Sequence, residues 1–246
     1  MKFRFRKERA KKIIQPYEQN SKESLFPPLS TQAITEIKKM KTNMIKNAGL
    51  QKFIKQYFPE EPTEKTIKDL EVVINKLVTN FRKTRNIEKL EDIFHLIQLW
   101  GGNTGRTIYV QNGGFSKNID MIAYENLVET AMTFEKINDL ADAIQTFKSK
   151  SKQICIPFIT KHTRYFSKEN RKYPFIPIYD SVMSKAYMEK WSKKYKKFIE
   201  IKSPQTPESE SGKQGLIFYW QEMIALSDES GVPLNKLERI LFNEAR

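Results

Sequence analysis

The chain has 246 residues, 39% of them hydrophobic, which suits one domain or two closely packed lobes and excludes global disorder. Its 43 Lys and Arg outnumber its 29 Asp and Glu, and the net charge is +14. This excess predicts a polyanionic partner, either a nucleic acid or an anionic membrane surface. A Lys-rich protein whose charge has no particular partner is the alternative interpretation.

Cysteine and histidine are scarce in this sequence. The single cysteine, Cys155, excludes a disulfide within the chain and a four-cysteine iron–sulfur cluster, and it fits a reducing cytoplasm. With only His95 and His162 as histidines, we expect no zinc site and no cofactor. No run of about 18 apolar residues predicts a membrane span, and the basic start lacks the apolar core of a secretory signal. The expected location is the cytoplasm, with nucleoid association if the source is bacterial.

Hydrophobic periodicity predicts a chain built almost entirely of helices. A basic, partly extended segment over residues 1–30 precedes a helical domain over residues 31–246. A short strand or extended loop is expected at residues 107–110, and loops at residues 167–177 and 202–213. The predicted helices cover residues 31–58, 63–83, 87–100, 119–134, 137–147, 157–166, a stretch that begins near 181, 214–228 and 233–244.

One glycine-rich stretch reads Trp100-Gly101-Gly102-Asn103-Thr104-Gly105-Arg106. Gly101, Gly102 and Gly105 would let the backbone approach a phosphate closely, and Arg106 could bind a phosphate or a base. The stretch is not a P-loop, because no Gly-Lys-Ser/Thr follows at the required spacing. A helix that ends at Gly101 with a turn behind it explains the same residues equally well.

Lys161 stands in an apolar and aromatic stretch that includes Phe158, Ile159 and Phe166. Loss of solvation there would lower the pKa of the lysine, and a partly neutral amine is what a Schiff-base nucleophile requires. Asp180 follows 19 residues later, where a loop meets the next predicted helix. The alternative interpretation is a solvated lysine and an aspartate that only caps a helix.

Two stretches resemble the active-site segment of the helix-hairpin-helix DNA glycosylase superfamily, especially its 8-oxoguanine DNA glycosylase branch. They are Ile156-Pro157-Phe158-Ile159-Thr160-Lys161-His162 and Pro177-Ile178-Tyr179-Asp180-Ser181. The final Leu237-Glu238-Arg239-Ile240-Leu241-Phe242 resembles the last helix of bacterial proteins with this fold. The resemblance implies an all-α, two-lobed monomer with an interlobe cleft, and it implies Lys161 and Asp180 as the catalytic pair.

The chain departs from the family at the hairpin. The family reads Gly-hydrophobic-Gly before the lysine helix, where the glycines let backbone amides approach a DNA phosphate. Pro157, Phe158 and Ile159 occupy that place here. The expected helix-hairpin-helix is therefore degenerate, and its phosphate contact is not carried over.

The resemblance also implies contacts to double-stranded DNA and a pocket for an extruded base. Aromatic side chains would stack on that base, although an aromatic core is the alternative role for them. The candidates for this pocket are Trp100, Tyr179, Phe218, Tyr219 and Trp220. The candidates for DNA contacts are Gly101, Gly102, Gly105, Arg106, Thr160, His162, Arg164 and Ser181.

The implied reaction is excision of a damaged or modified base. Lys161 would attack the sugar and form a Schiff base that leads to strand cleavage, or Asp180 would activate water and only the base would leave. The family suggests 8-oxoguanine, and a hypermodified base of phage DNA is also compatible, so repair and phage defence both stay open. Two other classes are a non-enzymatic nucleic-acid-binding protein of this fold and a helical protein-interaction domain.

Overall fold

A computed structural model describes residues 64–100, 119–152, 154–168, 170–173, 175–180, 183 and 210–244, together with Glu8, Lys11 and Gln56. All regular secondary structure in these residues is helical, which confirms the expected all-α class for this part of the chain. The helices are α1 Glu64–Thr84, α2 Ile87–Trp100, α3 Met121–Thr133, α4 Ile137–Lys150, α5 Ile156–Ser167, α6 Glu210–Ser230 and α7 Leu234–Glu244. None of these helices combines the length and the apolar character that crossing a membrane demands.

The sequence-based boundaries agree with these helices to within a few residues, with one clear error. Residues 210–213 were expected in a loop, but α6 already begins at Glu210. Its first turns are anchored because Lys213 forms an ion pair with Asp142 of α4. The boundary at residue 30, the helix over 31–58 and the extended stretch at 107–110 lie outside the described residues, whereas Met183 is helical as predicted.

The chain divides into two compact units, and the smaller one, Phe26–Met121, contains α1 and α2. The two helices pack against each other as a helical hairpin, and Arg85 and Asn86 join them. The Asn86 side chain accepts a hydrogen bond from the Glu88 amide at 3.0 Å and so caps the start of α2. The buried faces follow helical spacing, with Leu70, Ile74, Val78 and Phe81 on α1 and Leu90, Ile93, Phe94 and Ile97 on α2.

The second unit consists of Met1–Leu25 and Ile122–Arg246, and it contains the remaining helices from Ile122 onward. In this unit α4 packs against both α5 and α6, and α6 packs against α7. Helix α5 is unusual because every residue except the half-buried Pro157 is buried, including six with polar side chains. An amphipathic surface helix would expose these polar groups, so α5 is the internal helix around which the candidate site is built.

Candidate functional site

The chain turns back after α5 through a small polar turn centred on Asn170. The Asn170 amide nitrogen donates to the Phe134 carbonyl at 2.8 Å, which ties the turn to the end of α3. Its side-chain oxygen accepts from the backbone amides of Lys172 and Tyr173 at 2.9 and 2.8 Å. The Tyr173 ring stacks on Phe134, with 5.1 Å between centroids. These contacts return the chain along α5 toward Asp180.

Residues 176–179, here called the clamped segment, are buried beside α5 and lack regular secondary structure. Within the part of the chain that the structure describes, no strand pairs with them, and buried side chains from three helices bind their backbone. Three side chains accept from backbone amides: Ser167 from Ile176 N at 3.0 Å, Glu238 from Ile178 N at 2.6 Å and Thr160 from Tyr179 N at 3.1 Å. Two side chains donate to backbone carbonyls, each at 2.9 Å: Trp220 to Pro177 O and Tyr219 to Ile178 O. Because a buried backbone group without a partner is costly, these bonds fix the path of the segment.

Thr160 links the two candidate catalytic residues most directly. Its hydroxyl oxygen lies 3.1 Å from the Tyr179 nitrogen and 3.5 Å from the Tyr179 oxygen. Thr160 immediately precedes Lys161, and Tyr179 immediately precedes Asp180. The hydrogen bond therefore brings Lys161 and Asp180 into the same neighbourhood of one unit, although 19 residues separate them in the sequence.

The side chains of Lys161 and Asp180 lie in different surroundings. Lys161 is only 6% exposed, and its Nζ lies 4.3 Å from the centroid of the Phe158 ring, a cation–π arrangement. Asp180 is half-buried, and its Oδ1 accepts a hydrogen bond from the Met183 amide at 2.8 Å. That bond has the geometry of a helix N-cap, so the capping role that the sequence left open is present.

A buried ion pair stands behind the clamped segment. Arg164 of α5 donates through Nε to Glu238 Oε2 of α7 at 3.1 Å, and the two side chains are 3% and 1% exposed. The guanidinium also lies 4.9 Å from the centroid of the Phe175 ring. Since Glu238 Oε1 accepts from Ile178 N, one carboxylate connects α7, α5 and the clamped segment.

Burial and neighbouring charges perturb the titratable groups around this pair. Burial raises the pKa of Glu238, the Asp180 charge raises it further, and the charge of Arg164 opposes both effects. Burial raises the pKa of Tyr219 well above its usual value, with contributions from the charges of Glu238 and Asp180. Burial also raises the pKa of Tyr179 to about 12. Both phenols are therefore neutral hydrogen-bond donors near pH 7.

Three side chains that were predicted to contact DNA lie in the interior of the unit. Thr160 binds the clamped segment, Arg164 binds Glu238, and His162 Nδ1 lies 2.7 Å from the Tyr124 hydroxyl. All three side chains are buried and have internal partners, so they belong to the framework of the site. Their contacts with DNA stay a prediction.

The aromatic candidates for a base pocket divide in a similar way. Tyr219 and Trp220 are buried and use their polar atoms on the clamped segment, and Tyr179 is part of that segment. Phe218 is half-buried on α6, whereas Trp100 is buried at the end of α2 in the other unit. The remaining candidates, Gly101, Gly102, Gly105, Arg106 and Ser181, lie outside the described residues.

The stretch immediately before Lys161 is helical. Pro157, Phe158 and Ile159 belong to the first turns of α5, and Cys155 stands at its N-cap position without a side-chain capping bond. Proline suits the first turn because its missing N–H has no helical partner there. The α4–α5 connection is thus short, and residues of α5 stand where the degenerate hairpin was expected.

The positive charge of the chain is distributed unevenly. Basic and acidic side chains balance within the described residues, so the excess that makes the net charge +14 lies in the other stretches of sequence. These include the basic start, residues 2–9, and the lysine-rich stretch at residues 185–202. Attraction to a polyanion would therefore depend mainly on residues outside the described core. Among the described residues, no group of His, Cys, Asp and Glu is arranged to hold a metal ion.

Sequence reasoning did not identify Glu238, Ser167 or Tyr124 as parts of the site. Glu238 carries a recognisable signal, because it falls on the same helical stripe as the apolar residues Leu234, Leu237 and Leu241. A charged residue on a buried stripe requires a buried partner. The identity of that partner, 74 residues away in the sequence, could not be deduced from the pattern.

The chain was compared with models of protein families, with curated proteins and with solved structures, and no match was found in any of the three comparisons.

Proposed function

We propose that the chain is a DNA glycosylase of the two-lobed 8-oxoguanine-glycosylase fold, acting as a cytoplasmic monomer. It binds duplex DNA, takes a damaged or modified base out of the stack and cleaves the N-glycosidic bond of that base. The observation that carries the proposal is the hydrogen bond between Thr160 and Tyr179, because it joins the residues next to Lys161 and Asp180. The resemblance of the same two stretches to the family's catalytic segment supports the assignment.

The proposed covalent route begins with Lys161. The lone pair of its neutral amine forms a bond to C1′ of the sugar, and the electrons of the glycosidic bond leave with the base, which takes up a proton. Opening of the sugar ring then gives a Schiff base, and loss of a C2′ proton expels the 3′ phosphate. Asp180 stabilises the positive charge that develops on the sugar.

A monofunctional route uses the same residues with different roles. Asp180 accepts a proton from water, the oxygen attacks C1′, and the base leaves without strand cleavage. Lys161 then contributes a positive charge near the DNA. The target is 8-oxoguanine on the strength of the resemblance, or a hypermodified base of phage DNA, and these targets correspond to repair and to phage defence.

The decisive experiment for the function is mass spectrometry of the free bases released from a panel of modified duplex DNAs. Borohydride added during turnover should trap wild-type enzyme on the DNA, and Lys161→Gln should lose both trapping and strand cleavage. Lys168→Gln is the matched control, because its Nζ also lies over an aromatic ring, 5.3 Å from the Tyr165 centroid. Release of no base from any substrate would refute the proposal, and trapping that persists in Lys161→Gln would identify another nucleophile.

Asp180→Asn separates chemistry from helix capping. Asparagine caps a helix about as well as aspartate, so the variant should fold normally while base release is abolished. DNA affinity should be unchanged or higher, because a negative charge is removed near the phosphates. Near-normal base release by a stable Asp180→Asn protein would leave Asp180 as a cap only.

A non-enzymatic DNA-binding protein of the same fold is the second candidate. The observation in its favour is that both residues already have structural contacts, Asp180 with the Met183 amide and Lys161 with the Phe158 ring. Both candidates predict DNA affinity that falls steeply with salt, because lysines and arginines that bind phosphates displace cations condensed on the DNA. Strong, salt-sensitive binding without base release would favour the second candidate.

A further inference from the structure

Glu238 is a buried carboxylate that the proposed reaction does not use. It belongs to α7, it is 1% exposed, and both of its oxygens are engaged. Oε1 accepts from the Ile178 amide at 2.6 Å and Oε2 accepts from Arg164 Nε at 3.1 Å. Arg164 lies one helical turn after Lys161, and Ile178 lies two residues before Asp180.

We propose that Glu238 is a positioning residue: its Oε1 holds the Ile178 amide and thereby fixes Asp180 two residues later, while Arg164 of α5 compensates its buried charge. The inference rests on the proposed glycosylase function. Thr160 and Ser167 of α5 accept from the Tyr179 and Ile176 amides, and Glu238 of α7 accepts from the Ile178 amide between them. Loss of Glu238 would therefore leave the Ile178 amide without its acceptor while both bonds from α5 remain.

The lack of regular secondary structure in the clamped segment makes the bond from Glu238 important for its path. Within the described residues, the clamped segment has no neighbouring strand to set its register, so its position depends on single side chains. The Ile178 amide is buried, and without Glu238 it would have to move toward water or toward another acceptor. Either movement would displace Asp180 two residues later in the chain.

Glu238 itself is unsuited to touch the substrate. Its oxygens bind protein groups inside the unit, and the charge of Arg164 compensates its own. The Asp180 charge contributes to the raised pKa of Glu238, and of these two carboxylates only Asp180 is partly exposed. The geometry therefore separates a reacting carboxylate from one that supports it.

The test compares two variants in the full-length protein. Glu238→Leu removes both hydrogen bonds of the carboxylate, whereas the double variant Arg164→Met with Glu238→Gln removes the ion pair but keeps an amide oxygen that can accept from Ile178 N. Two quantities are measured: hydrogen exchange at the Ile178 and Tyr179 amides, and single-turnover base release at saturating enzyme.

Glu238→Leu should accelerate exchange at Ile178 and lower the rate of base release roughly 10²-fold, the loss typical of misplaced reacting groups. Its DNA affinity should stay within about twofold of wild type, because Glu238 contacts no phosphate and DNA binding rests mainly on other groups. The double variant should keep slow exchange at Ile178 and recover most of the release rate. A role in stability alone would lower the melting temperature of both variants and leave release by the folded proteins unchanged.

Unchanged Ile178 exchange in Glu238→Leu would overturn the proposal, and so would unchanged base release. If Glu238→Leu does not fold, the double variant decides, because slow exchange combined with lost release would contradict a positioning role. If wild type releases no base, the proposed function fails, while the exchange measurement still shows whether Glu238 holds the segment.

Discussion

The α1–α2 hairpin and the region around α5 bury different kinds of side chain. In the hairpin, the described buried residues are apolar apart from His95 and Gln98; they follow one stripe on α1, whereas residues 93–98 of α2 are all buried. Helix α5 instead buries Thr160, Lys161, His162, Thr163, Arg164 and Ser167 together with its apolar residues. The hairpin is stabilised mainly by apolar contacts, whereas the α5 region also depends on specific polar pairs.

This difference indicates where the molecule has been shaped for something besides stability. A buried polar network must be fully satisfied, and an apolar core of the same volume would often be at least as stable. Three of the six polar residues of α5 bind the clamped segment, Thr160 and Ser167 directly and Arg164 through Glu238, and this segment leads directly to Asp180. Departures from simple hydrophobic patterning are expected at functional sites, and this one coincides with the candidate catalytic pair.

The largest expected effect comes from removing one member of the buried ion pair. Arg164→Met should lower the free energy of unfolding by about 3–5 kcal/mol, because it leaves the Glu238 charge buried without its cation. Lys89→Met is the matched substitution in the hairpin, where the Lys89–Asp92 pair measures 3.0 Å but the lysine is 37% exposed. There the loss should be about 0–1 kcal/mol. Urea denaturation of both variants checks the contrast, and equal losses would mean that the two regions do not differ as described.

A second, smaller effect concerns the hydroxyl of Thr160. Thr160→Val keeps the shape of the side chain but removes the acceptor of the Tyr179 amide, so the expected loss is about 1–3 kcal/mol. Thr163→Val is the control, because the Thr163 hydroxyl bonds only to the Thr160 carbonyl of its own helix at 3.1 Å. Thr160→Ser, which keeps a hydroxyl, should recover much of the loss. Chemical denaturation measures all three, and a Thr163→Val loss as large as that of Thr160→Val would contradict the clamp.

These contrasts also explain how far the sequence predicts the structure. Helices α1 and α2 were predicted to within a residue because Leu70, Ile74, Val78 and Phe81 repeat at helical spacing, which is local information. The same reasoning predicted α5 as a helix, and the family resemblance pointed to Lys161 and Asp180.

The internal partners in the α5 region could not be predicted in the same way. Thr160 and Arg164 were expected to contact DNA, because short-range patterns do not reveal that Tyr179 and Glu238 lie beside them. Such pairs connect residues 19 and 74 positions apart, and only the packing of several helices brings them together. The sequence therefore predicted the elements of the site but not the bonds that hold it.

The two regions should also respond to pH in opposite directions. Burial lowers the pKa of His95 below 6.5. Below pH 6.5 the histidine is therefore protonated more readily in the unfolded chain than in the folded one, and stability falls as the pH drops. The pKa of Glu238 is raised above 4.5, so its contribution is largest at acid pH and is lost as the pH rises through the raised value. For each group, the unfolding free energy changes by at most about 1.4 kcal/mol per pH unit.

The measurement is the difference in unfolding free energy between wild type and His95→Leu, and between wild type and Glu238→Gln, from pH 4.5 to 7.5. As the pH rises, wild type should gain stability relative to His95→Leu. Over the same range, wild type should lose stability relative to Glu238→Gln. Slopes of the same sign would show that burial does not govern both groups as described.

The smallest expected effect contrasts how each region ends a helix. Gly231 follows α6 at φ 74° and Arg85 follows α1 at φ 53°, and the amide of each donates to the carbonyl four residues earlier, at 2.9 and 2.7 Å. A side chain in this left-handed conformation costs about 1–2 kcal/mol, so Gly231→Ala should lower the melting temperature. Arg85→Gly should change stability by less than about 1 kcal/mol, because relief of the same strain is offset by greater freedom of the unfolded chain and by loss of the Arg85 contact with the Phe81 ring. Calorimetry of the two variants provides the comparison. A Gly231→Ala protein as stable as wild type would mean that the turn after α6 can adopt a right-handed conformation without loss.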